Sequence, residues 1–344
     1  MKILYGVQGT GNGHVSRCCA MAEALKAYPD IEIDWLLSSR EKARGCGDIK
    51  EFLWRQGLTF VVKAGKVQLL GTLKKNNFLQ FRRDVDNLDL RPYDLVISDY
   101  EPVLSHAARK RGIAVTGISH QYAFCFDIPM QGANPLVRTI MKHYAPVTLP
   151  VGLHWHHFNV PVLPPILDIV VPAQLPKPLA EKVLVYLPFE SPALILELLR
   201  DLSDFDFYVY HPDMTNRDCG HIHTRAISRT GFKKDLLDAG QVIANSGFEL
   251  TSECLQIGKC ILSRPLSGQM EQLSNAQALR QLGYATVLEQ LEKRAVASWL
   301  RSSKTPVRVS YPDVAARLAR WLADGCPESV EMLADALWQA PAAS

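Results

Sequence analysis

Through the first third of the chain, short β-branched runs alternate with segments of helical period; the pattern fails in a proline-rich stretch and then resumes. This interrupted alternation constrains the fold more than any other feature. Strands joined by crossover helices form a parallel sheet, and two separate series need two sheets. The first series predicts strands at 3–7, 33–37, 59–62, 95–98 and 115–118, with helices at about 14–27, 71–88 and 101–111. Pro150, Pro161, Pro164, Pro165, Pro172, Pro176 and Pro178 then fall close together. Proline at that density keeps a helix from forming and stiffens a connection. The second series predicts strands at 182–188, 205–212, 241–246 and 260–266, with helices at 191–202, 232–240, 248–258 and 269–283. The expected organisation is an N-terminal α/β domain over 1–165, a linker over 166–180 and a second α/β domain over 181–312. A tail over 313–344, with helices at about 311–324 and 327–339, caps the second domain or crosses back to the first.

With 47% apolar and 21% charged residues the chain has an ordinary globular composition, which excludes disordered and fibrous classes. No apolar run reaches the roughly 18 to 20 residues needed to span a bilayer, and the opening MKILYGVQG begins a strand and has no secretory head, so a cytoplasmic place is expected. The 8 cysteines include no C-x-x-C pair and read as reduced core thiols. Cys219, His221 and His223, and His154, His156 and His157, offer metal-ligand types, but neither group brings a second spaced half; an alternating strand and a wet loop account for them, and no metal is expected. Residues 1–150 carry a formal charge of +6, 20 Lys and Arg against 14 Asp and Glu, while the remainder carries −3, 18 against 21. That excess suits an anionic acceptor or a membrane surface. The clusters Lys74-Lys75, Arg82-Arg83 and Arg109-Lys110-Arg111 are short and broken by acids, which is also the pattern of a plain solvated face.

Directly behind the first strand stands GVQGTGNGHVSR, with Gly9, Gly11 and Gly13 running into His14. A dinucleotide fingerprint needs a small third residue where the helix packs on the strand, and counting from either Gly9 or Gly11 puts His14 or Ser16 there. Ser38-Ser39-Arg40 would suit a 2′-phosphate, which keeps an NADP reading in view. No Lys-Ser/Thr pair follows the glycines, so a P-loop is excluded. What remains is a loop whose N–H groups and helix start receive negative charge, with His14 at its edge as either a structural cap or a general base.

The second series carries the more specific pattern. A strand ends at Asn245-Ser246-Gly247 and a helix begins at once, so Ser246 and Gly247 are expected to present free N–H groups to a diphosphate. Glu253, about two turns into that helix, is the residue type that accepts both hydrogen bonds of a vicinal diol. After the next strand, Glu271 and Gln272 stand at the sheet edge where open α/β folds bind ligands, able to bond sugar hydroxyls. The bland alternative makes Glu253 a solvated helix residue and 269–272 a polar helix start.

Ser246-Gly247, then Glu253, a strand, and Glu271-Gln272-x-x-Asn275-Ala276 resemble the donor-sugar motif of the GT-B glycosyltransferases, particularly the N-acetylglucosaminyltransferases of peptidoglycan synthesis and their relatives. Gly9, Gly11, Gly13, His14 and Arg17 look like their acceptor-side loop. The segments SDYEP and ISHQ look like a less characterised bacterial and archaeal branch of predicted transferases. The resemblance implies an α/β fold of two Rossmann-like domains facing across a cleft. It implies a transferase that moves a sugar from a nucleoside diphosphate, a UDP-sugar by preference, to a hydroxyl acceptor. That acceptor is anionic or lipid-linked if the basic half attracts it, at the inner face of the membrane. No nucleic-acid partner and no cofactor beyond the sugar nucleotide are expected. Ser246 and Gly247 would hold the diphosphate, Glu253 the ribose, Gln269, Glu271 and Gln272 the sugar, and Phe232 the nucleobase. One departure stands out: where relatives often carry a glycine-serine phosphate loop, this chain has Leu187-Pro188-Phe189-Glu190-Ser191.

The implied reaction is an inverting displacement. No Asp-x-Asp ends a strand, so the helix after Gly247 and Arg264 are expected to neutralise the leaving group without a metal. His14 is the expected base, with Asp99 or Glu101 orienting or replacing it, and His120 and Gln121 contacting the acceptor from the same sheet edge. A nucleotide-sugar 2-epimerase, which uses the same frame, and a non-catalytic sugar-nucleotide sensor are the competing readings.

Overall fold

The computed structural model describes residues 1–9, 12–39, 49, 51–59, 62–63, 66–67, 71, 75–172 and 174–340. The N-terminal half runs β1 (Lys2–Gln8), α1 (Asn12–Leu25), β2 (Glu32–Ser38), β3 (Leu53–Arg55), a small antiparallel pair β4 (Val62–Lys63) and β5 (Lys66–Val67), α2 (Phe78–Asn87), β6 (Leu95–Asp99), α3 (Pro102–Arg111), β7 (Thr116–Ser119), a 3-10 turn (His120–Cys125), α4 (Pro135–Tyr144) and β8 (Leu149–Gly152). Six of these strands form one sheet in the order β3-β2-β1-β6-β7-β8, every neighbouring pair parallel. The strand order reverses between β1 and β6. Their C-terminal ends flank a crevice of the kind that takes ligands in open α/β sheets.

The second half repeats the scheme with β9 (Leu179–Tyr186), α5 (Pro192–Leu199), β10 (Asp206–Tyr210), β11 (Arg217–Cys219), β12 (Ile222–Arg225), α6 (Arg229–Asp238), β13 (Ala239–Asn245), α7 (Phe248–Gln256), β14 (Cys260–Arg264), α8 (Met270–Leu282), β15 (Thr286–Val287) and α9 (Lys293–Arg301). Its sheet has the order β11-β12-β10-β9-β13-β14-β15, parallel throughout except for the β11–β12 hairpin. The reversal here lies between β9 and β13, so the second crevice opens at Asn245 and Ser246. The central strands are buried along most of their length, Val183, Leu184 and Val185 completely, which explains why they read as continuous apolar runs.

The third strand departs from expectation. It is Leu53–Arg55, while Thr59, expected to open a strand over 59–62, is held by Asn76: its N–H donates to Asn76 Oδ1 at 2.9 Å and its carbonyl accepts from Asn76 Nδ2 at 2.9 Å. Gly57, in the left-handed region at φ +60, turns the chain out of the sheet just before it. Residues 60 and 61, like 72–74 of the expected helix 71–88, lie outside the described residues. β9 begins inside the stretch expected to be linker.

The halves are joined by a packed seam. Trp155, fully buried, stacks on Phe248 at the start of α7 with ring centres 5.1 Å apart and donates its indole N–H to Ser252 Oγ at 2.8 Å. His120 lies flat on Phe248, 3.9 Å away, with its Nδ1 2.8 Å from Leu153 O and its Nε2 2.8 Å from Asn275 Oδ1. The tail helices α10 (Val314–Ala323) and α11 (Val330–Gln339) cross back: α10 packs on α1, and Trp338 Nε1 donates to Val162 O at 2.7 Å. The histidines read as a wet loop use Nδ1 to accept backbone N–H groups, His154 from Trp155, His156 from Phe158 and His157 from Asn159. Trp155→Ala removes a large side chain from the seam and should lower unfolding free energy by about 3–5 kcal/mol. Urea unfolding should show one shifted transition for the whole chain; a variant that leaves one half at wild-type stability would mean the seam does not couple them.

Candidate active site

The first crevice is built around Asp99, the last residue of β6, which lies in register with Val7 of β1. His14 and Arg17 stand three residues apart on α1 and so share one face of the helix. Asp99, fully buried, accepts from Arg17 Nε at 3.0 Å, Arg17 Nη2 at 2.6 Å and Cys18 Sγ at 3.2 Å, and its Oδ1 lies 2.8 Å from His14 Nδ1. Burial alone would push this carboxyl up; the Arg17 guanidinium and His14 overcome it and hold Asp99 well below the usual carboxylate range. An ionised carboxylate accepts a hydrogen bond from His14 Nδ1–H, which leaves Nε2 of the neutral ring as the nitrogen that can accept a proton at the crevice. There it lies 3.4 Å from Gln121 Nε2.

Several residues expected to contact the acceptor hold partners within the protein. Arg17, expected beside the acceptor, is 1% exposed; besides Asp99 it donates to Ser119 Oγ at 3.2 Å and pairs across the seam with Glu249 of α7. Glu101 does not touch His14. Its carboxylate caps α3, accepting from Val103 N at 2.8 Å, Leu104 N at 2.6 Å and the Ser38 hydroxyl, and burial raises it to about 7 against those hydrogen bonds. Tyr100 between the two acids adopts φ +53, and this left-handed turn sends Asp99 and Glu101 in different directions. Gly9 packs against the end of β2, where an added Cβ would stand 3.1 Å from Ser38 O, and at Gly13 it would stand 3.0 Å from Glu249 Oε2. These glycines admit the protein's own chain. Gly11 lies outside the described residues. His120 is fully buried in the seam. Gln121 is at the crevice, donating to Glu271 Oε2 of the second half at 3.1 Å and accepting from the Ser119 hydroxyl.

In the second crevice the two amides expected to be free are engaged: Ser246 N donates to Arg264 O at 3.2 Å and Gly247 N to Asn245 O at 2.8 Å. The donors that α7 leaves over are those of its own first turn, starting at Phe248. The space in front of its cap is open, since a Cβ on Gly247 would meet nothing within 4 Å. Ser246 Oγ bonds Ser263 Oγ at 2.7 Å. Glu253 is 4% exposed and paired with Lys233 of α6, which also lies 3.9 Å from Asp168; burial raises the Glu253 carboxyl, opposed by Lys233. Arg264 is paired with Glu190. Gln269 caps α8 and its Oε1 is buried without a hydrogen-bond partner, as is Asn245 Oδ1. Gln272 turns inward, its Oε1 accepting from Leu266 N at 3.0 Å. Phe232 packs edge-on against Tyr186 and Tyr210, at 5.3 and 5.1 Å. Lys233, Glu190, Glu249 and Asp168 were not singled out as contributors from the sequence, because each acts through a partner distant along the chain.

The fold agrees with comparison to known proteins. A family model described as glycosyl transferase family 1 matches residues 1–303. An uncharacterized glycosyltransferase of Methanosarcina acetivorans is 33% identical over 129 residues, 36% of this chain and 32% of the relative, so the chain spans about a third of that protein's length in the match. Among solved structures, the glycosyltransferase SnogD from Streptomyces nogalater superposes with a TM-score of 0.53 at 16% identity, over 99% of both chains. The glycosyltransferase SsfS6 of Streptomyces sp. SF2575 does so with 0.56 at 13%, over 97% of this chain and 98% of that one. With two parallel sheets linked by the bond from Gln121 to Glu271, the chain has the GT-B fold and belongs to glycosyl transferase family 1.

Proposed function

We propose that the protein transfers a sugar from a nucleoside diphosphate, UDP by preference, to a hydroxyl acceptor, with inversion and without a metal. One observation carries the reading. His14 of the first half, backed by Asp99, stands beside Gln121, which bonds Glu271 of the second half, so a base and a sugar-binding carboxylate meet at one point between the crevices. His14 Nε2 takes the proton of the attacking hydroxyl. Glu271 and Gln269, whose Oε1 has no partner, take hydroxyls of the transferred sugar. Glu253 receives the ribose diol once Lys233 yields it. The departing diphosphate settles before the first turn of α7, where oriented N–H dipoles offset its growing charge, with Arg264 beside it. Phe232, on α6 against the strand-end residues Tyr186 and Tyr210, is left for the nucleobase.

The acceptor approaches from the half with the +6 excess, which favours an anionic or lipid-linked compound at a cytoplasmic membrane face. Among the described residues no helix is long and apolar enough to cross a membrane.

The reading is tested by turnover with a panel of sugar nucleotides and hydroxyl acceptors, and incubation with donor alone, followed by NMR, separates transfer from epimerisation. His14→Ala should lose on the order of 10²-fold or more in kcat while donor affinity persists. Glu253→Ala should act the other way and raise the donor constant first; wild-type kinetics in both variants would sink the assignment. Asp99→Asn leaves Arg17 buried without its main counter-charge and should cost about 3–5 kcal/mol. Because the folded state holds Asp99 below its ordinary value, its contribution is present above the normal carboxylate range and lost as pH falls through and below it. Stability measured by urea from pH 6 down to pH 2 should therefore drop in the wild type more steeply than in Asp99→Asn; parallel curves would contradict the depressed carboxyl.

A further inference from the structure

The proposed donor site is not vacant of charge. Two of its groups hold internal partners of opposite sign: Lys233 covers Glu253, and Glu190 covers Arg264. The second pair is the more telling. Arg264 ends β14 and Glu190 follows β9, and β13 lies between those strands, so the pair arches over the end of β13 where α7 begins. Beneath it Asn245 Nδ2 donates to Arg264 O at 3.1 Å, and Asn245 Oδ1 is buried with no partner. Both side chains of the pair are 14% exposed, so water screens the attraction poorly.

The loop that carries Glu190 does not depend on its carboxylate. Glu190 N donates to Leu187 O at 3.1 Å, and its carbonyl lies 3.1 Å from Nε2 of the buried His211. Pro192 then opens α5. The backbone is anchored and the side chain is left to Arg264. A carboxylate at the mouth of a diphosphate site repels the ligand and occupies the cation that the ligand needs.

We infer that Glu190 is a built-in stand-in for the donor diphosphate: it holds Arg264 in the ligand-free protein, and the entering nucleotide must displace it. This rests on the donor reading above and adds a residue that sets donor affinity. Exchange of one anion for another keeps Arg264 paired at every stage, and a released Glu190 returns to it as the nucleoside diphosphate leaves. Ligands without phosphate have nothing to offer Arg264 and gain nothing from the exchange. On the facing side, Lys233 has Asp168 within 3.9 Å as its next partner when the ribose takes Glu253.

The test is calorimetric titration of the full chain and of Glu190→Gln with UDP, dTDP, GDP and ADP, and with uridine as the uncharged control. Glu190→Gln should bind the preferred diphosphate roughly tenfold more tightly, with uridine affinity unchanged, because a repelling and competing charge has been removed. In an Arg264→Ala background the same change should give no such gain. Glu190→Ala serves as a second variant should the glutamine form not fold, with thermal melting to compare the folds. Equal or weaker diphosphate binding by the variant overturns the inference, as does a gain that persists without Arg264. If wild type binds a diphosphate and Glu190→Gln does not differ, only the stand-in falls; if neither protein binds any nucleotide, the donor reading falls and takes this inference with it.

Discussion

The site is organised around a guanidinium taken out of water. Arg17 is 1% exposed, and the second half reaches it through Glu249 of α7. A charge so placed is tolerated only when its donors are filled, and three different elements fill them: Asp99 from β6, Ser119 from β7 and Glu249 from the far half. Asp99 in turn stays ionised because Arg17 is there, and an ionised Asp99 gives His14 its orientation. The tautomer of His14, the closeness of the halves and the position of α7 are thus set by one electrostatic cluster, supported by the flat stack of His120, Phe248 and Trp155.

Much of the fold was legible because parallel strands buried on both faces leave long apolar runs, and the restart after the prolines marked a second sheet. What misled was local. The run beginning at Thr59 has strand composition, yet Asn76 claims Thr59's backbone on both sides and the edge of the sheet is taken by Leu53–Arg55. Edge strands of this kind have little pattern to read. The edge hairpin β11–β12 and the 3-10 turn after β7 are likewise too short for periodicity to separate from loop.

The site was legible in residue type and less so in task. His14, Asp99 and Gln121 lie together at the end of the first sheet, and Gln121 reaches Glu271, while Glu253 and Arg264 each hold a partner within the second half. Glu101 looked equivalent to Asp99, but proximity to Pro102 made it a helix cap. Arg17 was placed on the acceptor side by the resemblance of its loop, and only the register of β1 against β6 reveals the carboxylate that admits a buried arginine there. Ser246 and Gly247 read as free amides, whereas the turn between β13 and α7 consumes both, and the donors left over begin at Phe248. The counter-charges Lys233 and Glu190 carry no local signature at all, since opposite charges recognise each other only after the sheet has brought distant loops together.

Tyr100 shows what such compactness demands of the chain. A non-glycine residue at φ +53 is strained by roughly 1–2 kcal/mol, and Tyr100 is held there by its ring, stacked on Tyr144 at 5.1 Å, and by its hydroxyl, which donates to Met141 O at 3.0 Å. The reversal at this residue is what lets the acids on either side of it look different ways, one toward His14 and Arg17 and one toward the helix it caps. The link between β6 and α3 therefore has no slack: inserting or deleting a single position would hand the anchor's place to the cap. Among related chains, this corner is where length should vary least, whatever happens to the loops around it.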